Sequence, residues 1–301
     1  MSYDVYFQPN ATPPSLQTLQ DWFAARPHFN VSAGLSGFAQ AEYEDPDTDV
    51  HMIFDLGAPD TEDHAAPLGA VATLILNFNR PLFFADAAAG IVADLMQAHD
   101  LNIVDPQAGE SFSRPLDQAG FVARYADHAR RALQAVTAQQ PDFQALTRPG
   151  AVVRAVYDWN ASRDVRQDAP DQEHFVPQVQ WFLDGGTPRT LFVWGDATMT
   201  VSPATDAVMM LRDELTPKRG LFGGGKPWVN VLSWDEYCDL CGPALVERAD
   251  GTFAHDWARV DALRARVGEV GADGGFALTA AAKSGLQMLA PSQVLDAELF
   301  D

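Results

Sequence analysis

Cysteine is scarce in this chain. Its 301 residues include two, Cys238 and Cys241, too few to staple a protein of this size. A disulfide framework is therefore excluded, and a reducing compartment, the cytoplasm, is the expected setting. Long hydrophobic runs are missing too. No stretch approaches 18 apolar residues, so no membrane-spanning helix is expected. The longest apolar segment, Ala70 to Leu76, has the length of a strand. The opening Met-Ser-Tyr-Asp-Val-Tyr-Phe-Gln has no basic region followed by an apolar stretch, and so does not read as a signal peptide.

Positive charge is the third scarcity. Twenty Lys and Arg face 41 Asp and Glu, a formal net charge of −21. Such a chain repels phosphates and anionic lipid, so neither nucleic acid nor a membrane is an expected partner. A basic protein surface would be attracted instead. Lysine is the rarest base, with three residues and none before Lys218. A GC-rich coding bias accounts for that, and no function follows from it.

What remains is an ordinary globular composition, 47% hydrophobic and 20% charged. Tyr3 to Gln8 alternates like a strand. Pro13-Pro14-Ser15 opens a helix with Ser15 as its N-cap, and Leu16, Leu19, Trp22 and Phe23 fall on its core face. Phe38 to Tyr43 and His51 to Leu56 flank Glu44-Asp45-Pro46-Asp47-Thr48-Asp49 and read as a hairpin. Ala70 to Phe78 reads as a central strand, Pro81 to Ala98 as a helix and Leu101 to Val104 as a short strand. A helical stretch follows over about 116 to 146, ended by Pro149-Gly150.

Strands then resume at Val152 to Trp159, Val176 to Leu183, Thr190 to Trp194, Ala207 to Leu211 and Val229 to Leu232. Ala161 to His174 reads as an exposed loop. Ser233-Trp234-Asp235-Glu236 has the form of a capping box. Trp257 to Val267 and Ala277 to Leu289 read as helices. The expected fold class is α+β: two mixed or antiparallel sheet units with flanking helices. The expected division is an acidic α+β domain over 1–115, a connecting helix over 116–150 and a second α+β domain with C-terminal helices over 151–301.

Charge divides unevenly. Residues 1–115 hold 16 acids and 3 bases, a charge of −13, and residues 116–301 hold 25 acids and 17 bases, a charge of −8. The densest stretch, Glu42 to Asp63, has nine acids and no Lys or Arg.

The motifs are weak. Gly220-Leu221-Phe222-Gly223-Gly224-Gly225-Lys226 matches half of a phosphate-binding loop, but Pro227 stands where a Mg²⁺-binding hydroxyl belongs, and a strand follows where a helix is required. Asp45-Pro46-Asp47-Thr48-Asp49 opens like a calcium loop, yet Val50 replaces the required Gly and Leu56 the bidentate Glu. Cys238-Asp239-Leu240-Cys241 is half a zinc or redox motif without a second half, and it falls inside a predicted helix. Neither G-x-S-x-G, H-E-x-x-H nor G-x-G-x-x-G occurs, and the seven histidines are scattered. Trp181, Trp194, Trp228 and Trp234 are expected to fill the core of the second half.

These observations nominate no catalytic residue, no metal ligand and no cofactor. The expectation is a non-catalytic cytosolic interaction protein of the immunity or inhibitor type. It would bind a basic protein through an acidic N-terminal surface formed by Glu42, Glu44, Asp45, Asp47 and Asp49. The rival expectation is a hydrolase whose carboxylates, with or without a metal, are assembled from distant residues.

Overall fold

The computed structural model describes residues 2–33, 38–57, 67, 69–107, 109–140, 142–170, 172–215, 228–271, 276, 278 and 286–301. The fold is α+β and divides into two compact units. The first comprises Met1–Val153 together with Ser292–Asp301, and the second Arg154–Pro291.

The first unit begins with β1 (Ser2–Pro9) and α1 (Leu16–Ala24). Ser15 caps that helix, accepting from the Thr18 N–H, and Leu19 and Phe23 are its buried face. Four strands follow: β2 (Phe29–Ala33), β3 (Ala39–Asp45), β4 (Val50–Leu56) and β5 (Ala72–Asn77). Then come α2 (Phe83–His99), β6 (Leu101–Asp105), β7 (Glu110–Phe112) and α3 (Gln118–Gln139). The strands form one antiparallel sheet in the order β2-β3-β4-β5-β1-β6-β7. β3 and β4 make the expected hairpin, and β5 lies at the centre. β2 is an addition to the expected order, which left Phe29–Ala33 unassigned.

Strand alternation decides which side chains meet the helices. Tyr3, Val5 and Phe7 on β1 and Val50, Met52, Phe54 and Leu56 on β4 are buried. Phe54 meets Phe7, Phe23 and Phe29 at ring separations of 4.8 to 6.1 Å. Tyr3 meets Phe121 and Tyr125 of α3 edge-on. Burying each such ring contributes roughly 1.5–3 kcal/mol. α3, within the span expected as a connector, packs on α2 and β1 in the first unit.

After β8 (Leu146–Arg148) comes α4 (Gly150–Ala161). This corrects the strand expected over Val152 to Trp159. The β-branched valines suggested a strand, but Val153, Val156, Trp159 and Asn160 are the buried residues, and their spacing is helical. Pro149-Gly150 starts this helix rather than breaking one: the Pro149 carbonyl accepts from Val152 and Val153. The loop expected over Ala161 to His174 includes the short α5 (Arg163–Gln167).

The second unit is built on β9 (Val179–Asp184), β10 (Thr187–Gly195), β11 (Val201–Ser202), β12 (Ala207–Arg212), β13 (Trp228–Ser233) and α6 (Trp234–Cys241). It continues through β14 (Leu245–Glu247), β15 (Phe253–His255), α7 (Val260–Glu269) and β16 (Gln287–Leu289). Its larger sheet runs β13-β12-β10-β9-β16 and is mixed, with β10 and β12 parallel. A smaller one runs β11-β15-β14. The capping box at Ser233 and Glu236 is present in both directions. Gln287–Leu289 pairs with β9, which corrects the C-terminal part of the helix expected over Ala277 to Leu289. The glycine-rich Gly220 to Lys226 lies outside the described residues.

Arg212 is fully buried at the end of β12. Its guanidinium donates to the carbonyls of Val267 (3.0 Å), Gly271 (2.9 Å) and Val270, and to Asn230 Oδ1 (2.6 Å). It thereby closes the C-terminal end of α7.

The chain then returns to the first unit. β17 (Val294–Asp296) pairs parallel with β8 and buries Val294 and Leu295. Asp296 Oδ2 accepts from the Leu82 N–H at the start of α2 (2.7 Å). Glu298 accepts from the Gly150 N–H at the start of α4 (2.9 and 3.1 Å). A Cβ on Gly150 would lie 2.9 Å from Asp296 Oδ1, so a larger residue would push the carboxylate aside.

Two outcomes are expected. Arg212→Met should lower the denaturation midpoint by the equivalent of about 2–3 kcal/mol, because the carbonyls it serves stay buried without a donor. Burial raises Asp296 from 3.8 to about 6, with Glu298 and Asp86 pushing the same way. The folded state therefore holds this proton more tightly than the unfolded state between those values, and stability falls as pH rises through that window. Asp296→Asn keeps an acceptor and removes the charge, so urea titrations at several pH values should show a shallower fall than in the parent.

Candidate functional site

The residues nominated from the sequence do not act alike. Glu42 and Glu44 lie on the outward side of β3 and are exposed. Among the described residues, neither carboxylate has a hydrogen bond or ion pair. Asp45 instead builds the hairpin turn: it accepts from the Asp47 N–H (2.9 Å) and the Thr48 hydroxyl (2.8 Å). Asp47 is half-buried within the turn. Asp49 has a φ of +60° and accepts from the Ser292 N–H at 3.0 Å. Asp45 and Asp49 are thus engaged in holding the fold.

Register completes the surroundings of the two exposed acids. Glu44 is opposite His51, Glu42 is opposite Ile53, and Ile53 is opposite Ile75. Opposed residues point to the same side of a sheet, so Glu42, Ile53 and Ile75 form a row across three strands. A groove of about 380 Å³ lies there, lined by Ser2, His51, Met52, Ile53, Ile75 and Asn77. Its floor is the isoleucine pair, and Glu42 and Glu44 stand on the next strand, opposite Ile53 and His51. Arg80 Nε donates to His51 Nε2 (3.3 Å), so His51 Nδ1 carries the hydrogen and donates to the Asp49 carbonyl (3.1 Å). Sequence reasoning missed the isoleucines. Their signal is position: His51, Ile53 and Asp55, and Thr73, Ile75 and Asn77, are the outward members of two alternating strands.

A second cavity, about 70 Å³, is lined by Tyr3, Asp105, Arg124, His128 and Arg131, among others. The Tyr3 hydroxyl donates to Asp105 (3.0 Å), and the carboxylate's other oxygen accepts from the Gln107 N–H (2.9 Å). Burial, then the Asp105 charge, raises the Tyr3 phenol. Burial followed by Arg131 lowers His128. Both are neutral at neutral pH.

The third cluster is interior to the second unit. The Thr200 N–H donates to His255 Nδ1 (3.0 Å), leaving the ring hydrogen on Nε2, which lies 2.9 Å from the Tyr237 hydroxyl and 3.6 Å from Cys241 Sγ. Trp194 stacks on the ring. His255 is pushed down to about 4 by burial and then His174, while burial pushes Cys241 up to about 12. The pair is a neutral thiol beside a neutral imidazole, not the ion pair a cysteine nucleophile needs. Among the described residues, no three His, Cys, Asp or Glu side chains converge to hold a metal ion. No described helix is long and apolar enough to cross a membrane.

Known proteins add nothing to this geometry: no family model, no curated protein and no solved structure matches the chain.

Cys241 should resist iodoacetamide in the folded protein at pH 8 and react once urea unfolds it, as read by mass spectrometry of the peptides. Fast labelling of Cys241 in the native state would mean that a thiolate is present.

Proposed function

We propose that the chain is a non-catalytic interaction protein of the immunity or inhibitor type, binding a basic protein partner through the outward face of β3 and β4. The observation that carries this reading is the pair of exposed, unneutralised carboxylates, Glu42 and Glu44, beside a groove with an apolar floor. The −13 charge of residues 1–115 adds a field that draws a cationic surface toward the molecule. Cys238 and Cys241 form no disulfide, which suits a cytoplasmic site of action.

A hydrolase is the second reading, and the Tyr3–Asp105–His128 cavity is what favours it, since it gathers a carboxylate and a histidine from distant parts of the chain. Its weakness is chemical. Both Asp105 oxygens already accept hydrogen bonds that hold β1 and β6 in place.

The test is charge reversal. Glu42→Lys with Glu44→Lys should weaken binding to a purified basic partner by more than about tenfold at low salt and flatten its salt dependence. Titration calorimetry at two ionic strengths reads both. Unaltered affinity with a bound partner would remove this face from the interaction.

A further inference from the structure

Resting on that reading, we infer what the partner places in the groove: one lysine or arginine side chain. Its methylene stem lies over Ile53 and Ile75, and its cation meets Glu42 and Glu44. The geometry has two halves, and each alone would fit something else. A flank of carboxylates without an apolar floor would suit a hydrated ion. An isoleucine floor without the carboxylates would suit an apolar side chain. Long cationic side chains unite the two properties, because they bury an aliphatic stem and keep a charged head at the edge.

The spacing agrees. Ile53 and Ile75 are opposed on neighbouring strands, and Glu42 is opposed to Ile53 on the next. The row from Ile75 to Glu42 crosses two strand spacings, about 10 Å, a span that a long side chain lying over Ile53 can bridge toward β3. Glu44 stands two residues along the same strand, on the same side. A cleft of about 380 Å³ is at the small end of ligand-sized sites, which suits one long side chain with its flanking backbone.

The discriminating variable is stem length at constant charge. The full chain would be titrated with glycine-flanked peptides of equal length carrying lysine, ornithine, diaminobutyrate or diaminopropionate. Binding would be followed by anisotropy at low salt and by the methyl NMR signals of Ile53 and Ile75. Affinity should fall up to about fourfold for each methylene removed, with the isoleucine methyl shifts shrinking in step. Ile53→Thr with Ile75→Thr should abolish the dependence on stem length while Glu42 and Glu44 still bind the charge; circular dichroism and the melting temperature establish that this variant folds. Affinity independent of stem length but lost on reversing Glu42 and Glu44 would overturn the anchoring residue and leave the basic-partner reading standing. No binding by any peptide at low salt would also overturn the anchor, and the proposed function would then be judged by charge reversal on the protein partner.

Discussion

The first unit is completed only when the chain comes back to it. Arg154–Pro291 lies in sequence between its two pieces, so the last ten residues must find their place across a gap of well over a hundred positions. Helix ends make that possible. The first turn of a helix leaves N–H groups without partners inside the helix and carries partial positive charge. Leu82 and Gly150 present two such groups, and Asp296 and Glu298 meet them. Val294, Leu295 and Leu299 bury the apolar side of the same segment. The seam has an opposing term. Asp296 is buried, and Glu298 and Asp86 crowd it with like charge, so the carboxylate that caps α2 is also held against its own ionisation. Hydrogen bonds and burial close the chain end, and electrostatics loosens it as protons leave.

Local pattern carried much of the architecture. The caps at Ser15 and Ser233 are contacts within four residues, and they were readable for that reason. The alternating strands β4 and β5 were readable because each has one buried face. α4 was not, because its valines favour a strand and the deciding partners are remote. The Asn160 side chain bonds both backbone groups of Val179, and the Trp159 indole donates to the Pro177 carbonyl. β2 is short and half-exposed despite its apolar-polar alternation, and it is fixed as a strand by pairing with β3 from Phe29↔Tyr43 to Ala33↔Ala39.

The acidic segment shows the same division between composition and role. Its charge density was legible, but the employment of each member was not. Asp49 is taken up by Ser292, 243 residues away, while Glu44, five residues earlier, stays exposed. Ile53 and Ile75 became a floor only through the β4–β5 register, since a shift by one residue would put them on opposite sides of the sheet. His255 and Cys241 are 14 positions apart, and their contact depends on where β15 sits beside α6.

Charge is therefore distributed by depth. The buried cluster of His255, Tyr237 and Cys241 in the second unit is neutral at neutral pH, His255 by lowering, Tyr237 and Cys241 by raising. In the first unit the buried Asp105 carboxylate is enclosed by donors. An excess of 21 negative charges must then reside mainly where water can screen it, and screening limits its reach to roughly 8 Å at physiological salt. Such a field accelerates encounter with any cationic surface and selects weakly among them. Selection has to come from contact, where desolvation and shape matter. The outward face of β3 and β4 joins the two scales: exposed carboxylates that belong to the field, beside an apolar floor whose fit does not fade with salt.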